Sequence, residues 1–230
     1  MASQTLRALQ AANPPTNVLP VGAVEFERYG RLLQGYDPTE VIARAKAILP
    51  QTEELVYQAS VPAIEEPSAF NTAIAHEVYG GMPIQVGWCY GKNLQMSGLE
   101  YHKGSEVNVC ITDVVLLVGH VQDIAFGQEI TYDTHQVAAF YAPAGSVVEF
   151  SPWNLHFAPI HVAKGGSFAT LVYLPRGTNE PLTFSVDKVG ENKLLFAINK
   201  WLIVHPEADA LVEQGAYAGM VGDDIFVNPI

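Results

Sequence analysis

Short apolar runs separated by Gly and Pro dominate the chain from Val56 onwards. Strands of this length that recur every roughly 8–12 residues are typical of an all-β sandwich or barrel, such as a jelly roll. We therefore expect an all-β fold. The predicted strands span residues 56–61, 84–90, 94–101, 107–110, 114–119, 135–141, 147–150, 157–162 and 168–174.

Helical periodicity occurs earlier, in the segment that begins at Asp37. Asp37 suits an N-cap, Pro38 suits the first helical position and Glu40 completes a capping box. Apolar residues then recur at helical spacing until Pro50, which ends the pattern. We expect this helix to lie on the sheet. Before it, residues 11–21 contain three prolines and no periodicity, which predicts an extended arm.

We divide the chain into an N-terminal arm and helix (residues 1–55), a β-barrel (residues 56–190) and a C-terminal extension (residues 191–230). The first segment is too short and too poor in apolar residues to form a core of its own, so we expect it to be attached to the barrel.

The C-terminal extension leaves one choice open. Residues 193–204 fit either a hairpin that turns at Asn199-Lys200 or a buried helix, and we favour the hairpin. A short helix is predicted from Pro206 to about Gln214, since Pro suits a first helical turn. The Gly-rich tail that follows could cross onto a partner subunit or lie along its own.

Composition and charge exclude several classes of function. The 230 residues are 49% hydrophobic, enough for a sizeable core, and carry a formal net charge of −12. This charge disfavours nucleic acid and anionic membrane surfaces as partners, because both attract clustered Lys and Arg. The sequence has no phosphate-binding loop, no dinucleotide-binding glycine motif and no nucleophile elbow. Kinases, Rossmann dehydrogenases and α/β-hydrolases therefore have no support.

The expected location is the cytoplasm. The N-terminus lacks the apolar region of a signal peptide, and no apolar run approaches the roughly 20 residues of a membrane span. Cys89 and Cys110 lie in apolar runs and are expected to be buried free thiols rather than a disulfide.

Ionisable side chains are concentrated around residue 100, within predicted β structure. Glu100 and His102 are two residues apart, so both point to the same face of a strand. On a straight strand Glu106 would lie roughly 13 Å from His102, too far for a shared metal ion. A tight turn at Lys103-Gly104-Ser105 would fold Glu106 back beside the other two, because Gly takes a positive φ without steric cost.

A fourth ligand has to come from elsewhere, and His156 is the best supplier. Two carboxylates with one or two imidazoles suit Zn²⁺, Mn²⁺, Fe²⁺ or Ni²⁺ without discriminating among them. The sequence therefore predicts one divalent transition metal held by Glu100, His102, Glu106 and His156. The alternative is that both glutamates are solvated strand ends and that His102 is a hydrogen-bonded surface residue.

The order Glu100-x-His102-x₃-Glu106, followed by the turn Pro143-Ala144-Gly145 and by His156, resembles the two motifs of the cupin superfamily. The usual motifs are H-x-H-x(3,4)-E and P-x-G-x-x-H. Here Glu100 stands where the first His is expected, and His156 lies well beyond the Gly. The resemblance covers about residues 84–175. It implies a single cupin-type β-barrel (jelly roll) with an N-terminal arm and helix and a short C-terminal helical extension.

Two narrower resemblances lie within the cupins. Residues 99–106, together with Trp153 and His156, are partly similar to ureidoglycolate lyase. The stretch 86–159 resembles more closely an uncharacterised bacterial cupin family that carries the label domain of unknown function 4867. The second resemblance implies a fold but no activity.

Lys103 and Glu149 are the predicted acid/base residues. The turn could swing Lys103 over the mouth of the barrel, or Lys103 could be an exposed turn residue. Glu149 lies in mid-strand and faces either a polar interior, as a base of raised pKa would, or solvent. Asn108 and Cys110 share the parity of Glu106 and are expected to line the interior beside it.

The functional hypothesis is a metal-dependent cupin enzyme acting on a small sugar, sugar acid, or hydroxy or keto acid. The metal would polarise a C=O, and a nearby Glu or Lys would move a proton next to it, giving isomerisation, epimerisation or lyase cleavage. The alternatives are a non-catalytic metabolite-binding cupin and a structural protein without metal. A homodimer with a small-molecule substrate, and with neither nucleic acid nor membrane as partner, is expected.

Overall fold

The computed structural model describes residues 3–230, so the first two residues of the predicted N-terminal arm lie outside the described part of the chain. None of the helices in that part is long and apolar enough to cross a membrane. The helices are α1 (Gln4–Ala12), α2 (Thr39–Ile48), α3 (Pro62–Glu65), α4 (Ala69–Ala73), which continues into a π-helical turn (Ile74–Val78), and α5 (Asp209–Glu213).

Eighteen short strands lie in the described chain outside these helices. The strands are β1 (Val18–Pro20), β2 (Gly30–Leu32), β3 (Val56–Gln58), β4 (Ile84–Gly91), β5 (Gly98–Tyr101), β6 (Glu106–Cys110), β7 (Val114–His120), β8 (Ala125–Phe126), β9 (Ile130–Asp133), β10 (Ala138–Ala142), β11 (Val147–Phe150), β12 (Asn154–Leu155), β13 (Ile160–His161), β14 (Phe168–Pro175), β15 (Leu195–Ala197), β16 (Lys200–Val204), β17 (Tyr217–Ala218) and β18 (Met220–Val221).

These strands form four sheets. Sheet I has the order β2-β11-β6-β14-β4-β3, and all its pairs are antiparallel. Sheet II has the order β1-β10-β7-β12, with β13 also paired to β7. Sheet III joins β15-β16-β17 to β5, and sheet IV is β18-β9-β8. The predicted all-β fold is confirmed only in part, because the described chain is mainly β but also contains several helices. Its strands form four sheets rather than one closed barrel.

Sheets I and II pack face to face around one apolar cluster. From sheet I this cluster takes Cys110 and Phe150, and from sheet II it takes Phe140. Val107 and Val109 of β6 point to the opposite side of sheet I, where α2, α3, α4 and the π-helical turn cover them. The outer face of sheet II is covered by α1 together with β9, β16 and β18. Strands β6 and β7, in the middle of the two sheets, are therefore buried on both faces.

Helix α2 confirms the predicted helix with a small shift of its start. Asp37 Oδ1 accepts hydrogen bonds from the backbone N–H and the hydroxyl of Thr39. The N-cap residue is Pro38, so Asp37, the predicted cap, lies one position before the observed one. Val41 and Ala45 form the buried face that packs on sheet I.

The N-terminal segment contains a helix that the sequence pattern did not reveal. At its start, the Ser3 hydroxyl accepts a hydrogen bond from the Leu6 N–H at 3.1 Å. At its end, Asn13 donates to the Asn228 carbonyl at 3.1 Å and accepts from the Asn228 N–H at 2.7 Å. The tail thus folds back on its own N-terminus. The predicted extended arm is extended at β1, which joins sheet II parallel to β10.

The C-terminal extension forms the predicted hairpin and not a buried helix. Strands β15 and β16 pair antiparallel, and Asn199 in the turn between them has a φ of 54°. Asn tolerates this left-handed conformation better than most residues. The predicted helix after Pro206 is reduced to α5. This hairpin bears on the candidate site described below because it places β16 beside β5, with which it pairs.

Candidate metal site

Glu100, His102 and Glu106 come together where the chain passes from sheet III to sheet I. Their predicted proximity is confirmed, but the predicted hairpin is wrong, because β5 and β6 belong to different sheets. Gly104 is not among the described glycines with a positive φ. A Cβ at Gly104 would lie 3.2 Å from Pro175 Cγ, so a larger residue would require a small shift of the Pro175 ring.

Glu106 is the centre of a buried cluster. Its Oε2 atom lies 3.4 Å from His102 Nε2 and 3.3 Å from His156 Nε2. The Oε1 atom of Glu100 lies 3.7 Å from His102 Nε2, and the exposed fractions of these two side chains are 11% and 1%. Four groups that are normally hydrated therefore face one another inside the protein. We call Glu100, His102, Glu106 and His156 the polar cluster.

The backbone places His156 beside Glu100. The two residues form an antiparallel bridge, with the Glu100 N–H donating to the His156 carbonyl at 2.7 Å and the reverse bond at 3.0 Å. The His156 ring also stacks on Phe150, with centroids 4.8 Å apart. His156 thus sits between β5 and the apolar interior, and its role as fourth ligand stays a prediction.

Both imidazoles are fixed through Nδ1. His102 Nδ1 lies 2.7 Å from the Asn199 carbonyl oxygen, and His156 Nδ1 lies 3.0 Å from Asn154 Oδ1. Because both partners are oxygen acceptors, each Nδ1 carries a proton, and Nε2 is the atom left to bind a metal ion. Neither Nε2 atom has a hydrogen-bond partner among the described residues. Metal-binding histidines have this second hydrogen bond and this free nitrogen.

Burial and charge act in opposite directions on the two central groups. Burial alone would raise the pKa of Glu106, but the charges of His156 and His102 outweigh it and hold that pKa well below its usual range. Burial would lower the pKa of His156, yet the carboxylates of Glu106 and Glu100 raise it. A proton on His156 therefore compensates Glu106 when no other cation is present. A divalent cation would replace that proton.

Asn108 holds the other oxygen of Glu106. Its Nδ2 atom donates to Glu106 Oε1 at 2.7 Å, which leaves Oε2 directed at the imidazoles. Asn108 and Cys110 lie on the same face of β6 as Glu106, as predicted. Cys89 and Cys110 are buried free thiols, also as predicted, and burial raises the pKa of Cys110 to about 12.

The distances within the polar cluster fit a metal shell. Two ligand atoms at ~2.1 Å from one ion lie about 3.0 Å apart at a right angle and about 3.4 Å apart at the tetrahedral angle. The two contacts of Glu106 Oε2, at 3.3 and 3.4 Å, fall in this range. Ligand atoms of Glu100, His102 and His156 all lie within 4.8 Å of one another, so this buried group could hold a metal ion.

Lys200 is the residue at the site that the sequence did not identify. Its Nζ atom forms an ion pair with Glu100 Oε2, and its side chain is only 16% exposed. The ammonium also lies 5.9 Å from the ring centroid of Phe157 and 6.0 Å from that of Phe196. The sequence does contain a signal for Lys200, because it is the only charged residue in segment 194–204. Buried charges are nearly always paired, so a partner for it could have been expected.

Lys103, predicted to be catalytic, lies outside the polar cluster. Its side chain is 54% exposed, and its Nζ atom lies 2.7 Å from Glu191 Oε1. The ammonium sits over the Trp201 ring, 4.9 Å from its centroid. Because the predicted hairpin does not form, Lys103 is not directed towards the polar cluster.

Glu149, the other predicted catalytic residue, faces the wrong side of sheet I. Phe150 pairs with Glu106 in the register of β11 and β6, and neighbouring residues on a strand point to opposite faces. Glu149 Oε2 instead accepts a hydrogen bond from Arg31 Nε at 2.5 Å. The sequence left open whether Glu149 faces a polar interior or solvent. The structure places its side chain on the face of sheet I that points away from the interior.

A separate cavity of the described chain lies elsewhere. It has a volume of about 970 Å³, and none of its lining residues belongs to the polar cluster. Its cation Arg28 is paired with Asp123, and its His135 is paired with Asp133. We assign the chemistry to the polar cluster rather than to this cavity, because only the cluster combines buried, converging ligand atoms with free imidazole nitrogens.

Comparison with known proteins gives a family but no named activity. The model of a family described as Domain of unknown function (DUF4867) matches residues 18–225, which confirms the predicted resemblance to it. A search of curated proteins finds no match. The partial similarity to ureidoglycolate lyase stays a prediction.

Solved structures show only distant likeness. An oxalate decarboxylase from Bacillus subtilis is 14% identical with a TM-score of 0.29, covering 44% of this chain and 24% of that one. A structure from work on the Mn(II) centres of the same enzyme is 12% identical with a TM-score of 0.31, covering 67% and 36%. Peruvianin-I, a cysteine peptidase from Thevetia peruviana latex, is 11% identical with a TM-score of 0.29, covering 53% and 60%. This chain thus spans about a quarter to a third of the oxalate decarboxylase chains.

Proposed function

This chain belongs to the family described as Domain of unknown function (DUF4867), and on that premise we propose that it is a metal-dependent enzyme of the cupin type. The polar cluster holds one divalent transition metal (Zn, Mn, Fe or Ni). The substrate is a small sugar, sugar acid, or hydroxy or keto acid, which undergoes isomerisation, epimerisation or lyase cleavage. One observation carries this proposal: two buried imidazole nitrogens without hydrogen-bond partners converge on Glu106.

The charges of the cluster support a cation. Burying a carboxylate without compensation is costly, and this cluster buries two. Lys200 pairs with Glu100, but Glu106 has only the Asn108 amide and the imidazoles around it. The mixed nitrogen and oxygen donors suit a transition metal better than Ca²⁺ or Mg²⁺, which prefer oxygen ligands.

The chain's own residues supply orientation and proton handling. The bound ion would act as a Lewis acid that polarises a carbonyl oxygen of the substrate. The Asn199 carbonyl and Asn154 fix the two imidazole rings, and Phe150 covers one face of His156. Lys200 is placed to move a proton at this site, because its Nζ atom lies against Glu100.

A turnover assay on metal-stripped and reloaded protein tests the proposal. Each form is incubated with aldoses, ketoses, uronic acids and hydroxy acids and followed by proton NMR. We expect product signals only from reloaded protein, their loss in His102→Ala and their retention in Glu149→Gln, which changes a carboxylate outside the cluster. Turnover by the stripped protein would contradict the mechanism. Saturable binding without any product would favour the non-catalytic metabolite-binding alternative.

Three further points concern the type of β fold, the oligomeric state and the cellular location. We propose that sheets I and II are the two sheets of a jelly roll, supported by their packing around a shared apolar cluster. A homodimer and residence in the cytoplasm are retained as predictions from the sequence. Light scattering on the purified chain measures the first of these.

A further inference from the structure

We infer that Lys200 binds the carboxylate of an acidic substrate at the polar cluster, so that the site selects hydroxy or keto acids over neutral sugars. This inference rests on the proposed function, because it requires a divalent ion at the cluster. It narrows the substrate class to small molecules that carry a carboxylate beside a metal-binding oxygen.

The backbone directs Lys200 at the site. In the pairing of β16 with β5, Leu202 lies directly opposite Glu100. Lys200 lies two residues before Leu202, so it points to the same face of sheet III and is a diagonal neighbour of Glu100. The preceding residue, Asn199, holds His102 through its carbonyl oxygen. One turn therefore positions both a proposed metal ligand and the cation beside it.

The ammonium of Lys200 has unused donor capacity. It carries three N–H donors. Among the described residues, Glu100 is the only polar partner of Nζ. Its other neighbours are the rings of Phe157 and Phe196, which attract a cation but accept no strong hydrogen bond. A ligand carboxylate next to Glu100 would satisfy the remaining donors with charge-assisted hydrogen bonds.

The formal charge of the site also favours an anion. The carboxylates of Glu100 and Glu106 together with the ammonium of Lys200 give −1, and a divalent ion changes this to +1. Net charge is expensive inside a protein unless it is paired. A substrate with one carboxylate neutralises the loaded site, whereas a neutral sugar leaves the positive charge uncompensated.

Lys103 provides a matched control. Like Lys200 it is a lysine beside the β15–β16 turn, since its backbone N–H donates to Asn199 Oδ1 at 2.8 Å. Its ammonium, however, pairs with Glu191 on the surface. Removing either charge changes the net charge of the protein equally, so a difference between the two variants reports on position alone.

The test compares glycolate with glycolamide, which has the same hydroxyl and carbonyl oxygens but no charge. Protein loaded with Mn²⁺ is titrated with each compound, and binding is followed by the relaxation rate of water protons. We expect the wild type to prefer glycolate by about 10- to 100-fold, the range of a hydrogen bond to a charged group. Lys200→Met should reduce this preference to about twofold or less, while Lys200→Arg and Lys103→Met should retain it.

The outcomes separate the two proposals. If the wild type binds Mn²⁺ but shows no preference for glycolate, or if Lys200→Met retains the preference, the inference about Lys200 is wrong and the metal site stands. If the wild type binds no Mn²⁺, Zn²⁺, Fe²⁺ or Ni²⁺, the proposed function fails and the inference fails with it. If Lys200→Met does not fold, the absence of a preference in the wild type still overturns the inference.

Discussion

One face of strand β6 has two different surroundings. At its start, Glu106 meets two imidazoles and the amide of Asn108. Four residues later, Cys110 is fully buried in the apolar cluster between sheets I and II. The interior of the sandwich thus changes from ionisable to apolar within the length of a single short strand.

The two ends of β6 serve different purposes. Apolar burial at the Cys110 end stabilises the fold, at roughly 25 cal/mol for each Å² removed from water. Burial at the Glu106 end costs free energy until a cation compensates the carboxylates. Under the proposed function, an interior of this kind is retained for binding a metal ion rather than for stability. Substitutions at the two ends should therefore affect different measurements.

The largest effect on stability is expected at the apolar end. Phe140 is fully buried and packs edge-on against Phe26, with centroids 5.0 Å apart. Phe140→Ala should lower the free energy of unfolding by about 3–5 kcal/mol, because it leaves a cavity. Urea denaturation measures this change, and Val24→Ala, at a side chain that is 71% exposed, is the control with little change expected. Folded Phe140→Ala protein should bind metal as the wild type does; loss of binding would argue against separate roles.

Metal addition should stabilise the protein only through the polar end. At a metal concentration of about 100 times Kd, binding stabilises the folded state by about 2.7 kcal/mol. For a chain of this size that raises Tm by roughly 5–10 °C. Glu106→Gln should abolish the shift, while Glu149→Gln, on the opposite face of sheet I, should preserve it. Equal shifts in both variants, measured by calorimetry, would place the metal elsewhere.

Removing Asn108, the hydrogen-bond partner of Glu106, should have an intermediate effect on metal affinity. Asn108→Ala deletes the amide that holds Oε1 without removing a metal ligand. Loss of such a supporting hydrogen bond lowers metal affinity by about 10- to 100-fold. Competition with a chromogenic chelator measures the affinity. An unchanged affinity would mean that Glu106 needs no support to bind.

The stability of metal-free protein should depend on pH through His156. Its folded pKa is raised above 6.5, so its contribution is fully present below about pH 6.5 and is lost as the pH rises through the raised value. The folded pKa of Glu106 is lowered from 4.5, so its contribution is lost only as the pH falls through the lowered value.

The pair therefore stabilises metal-free protein most between about pH 4.5 and pH 6.5. Above this window, stability should decrease as the pH rises through the raised pKa of His156. His156→Gln should lack this decrease in urea titrations at several pH values. The same decrease in the variant would assign it to another group.

The smallest effect on stability and on metal affinity is expected from a substitution at Lys103. Lys103→Met removes a surface ion pair with Glu191, and such pairs contribute about 0–1 kcal/mol. Thermal denaturation should therefore shift little, and metal affinity should not change. A large loss of metal affinity would show that the exposed lysine acts on the polar cluster after all.

Local patterns in the sequence were sufficient to predict much of the fold and of the candidate site. Alternation of side chains placed Asn108 and Cys110 on the same face as Glu106, and spacing brought Glu100 and His102 together. Long-range pairing could not be predicted in this way. The partner of β5 is β16, about a hundred residues later in the chain, so neither the corner between the sheets nor the approach of Lys200 to Glu100 was visible locally.

Metal content of the purified protein decides whether the polar cluster is a metal centre. Elemental analysis is made on the wild type beside His102→Ala and Glu106→Ala, each after purification and after reconstitution with transition metals. We expect about one transition metal ion per wild-type chain and its loss in both variants. A wild type that holds no metal even after reconstitution would contradict the metal centre and the function proposed from it.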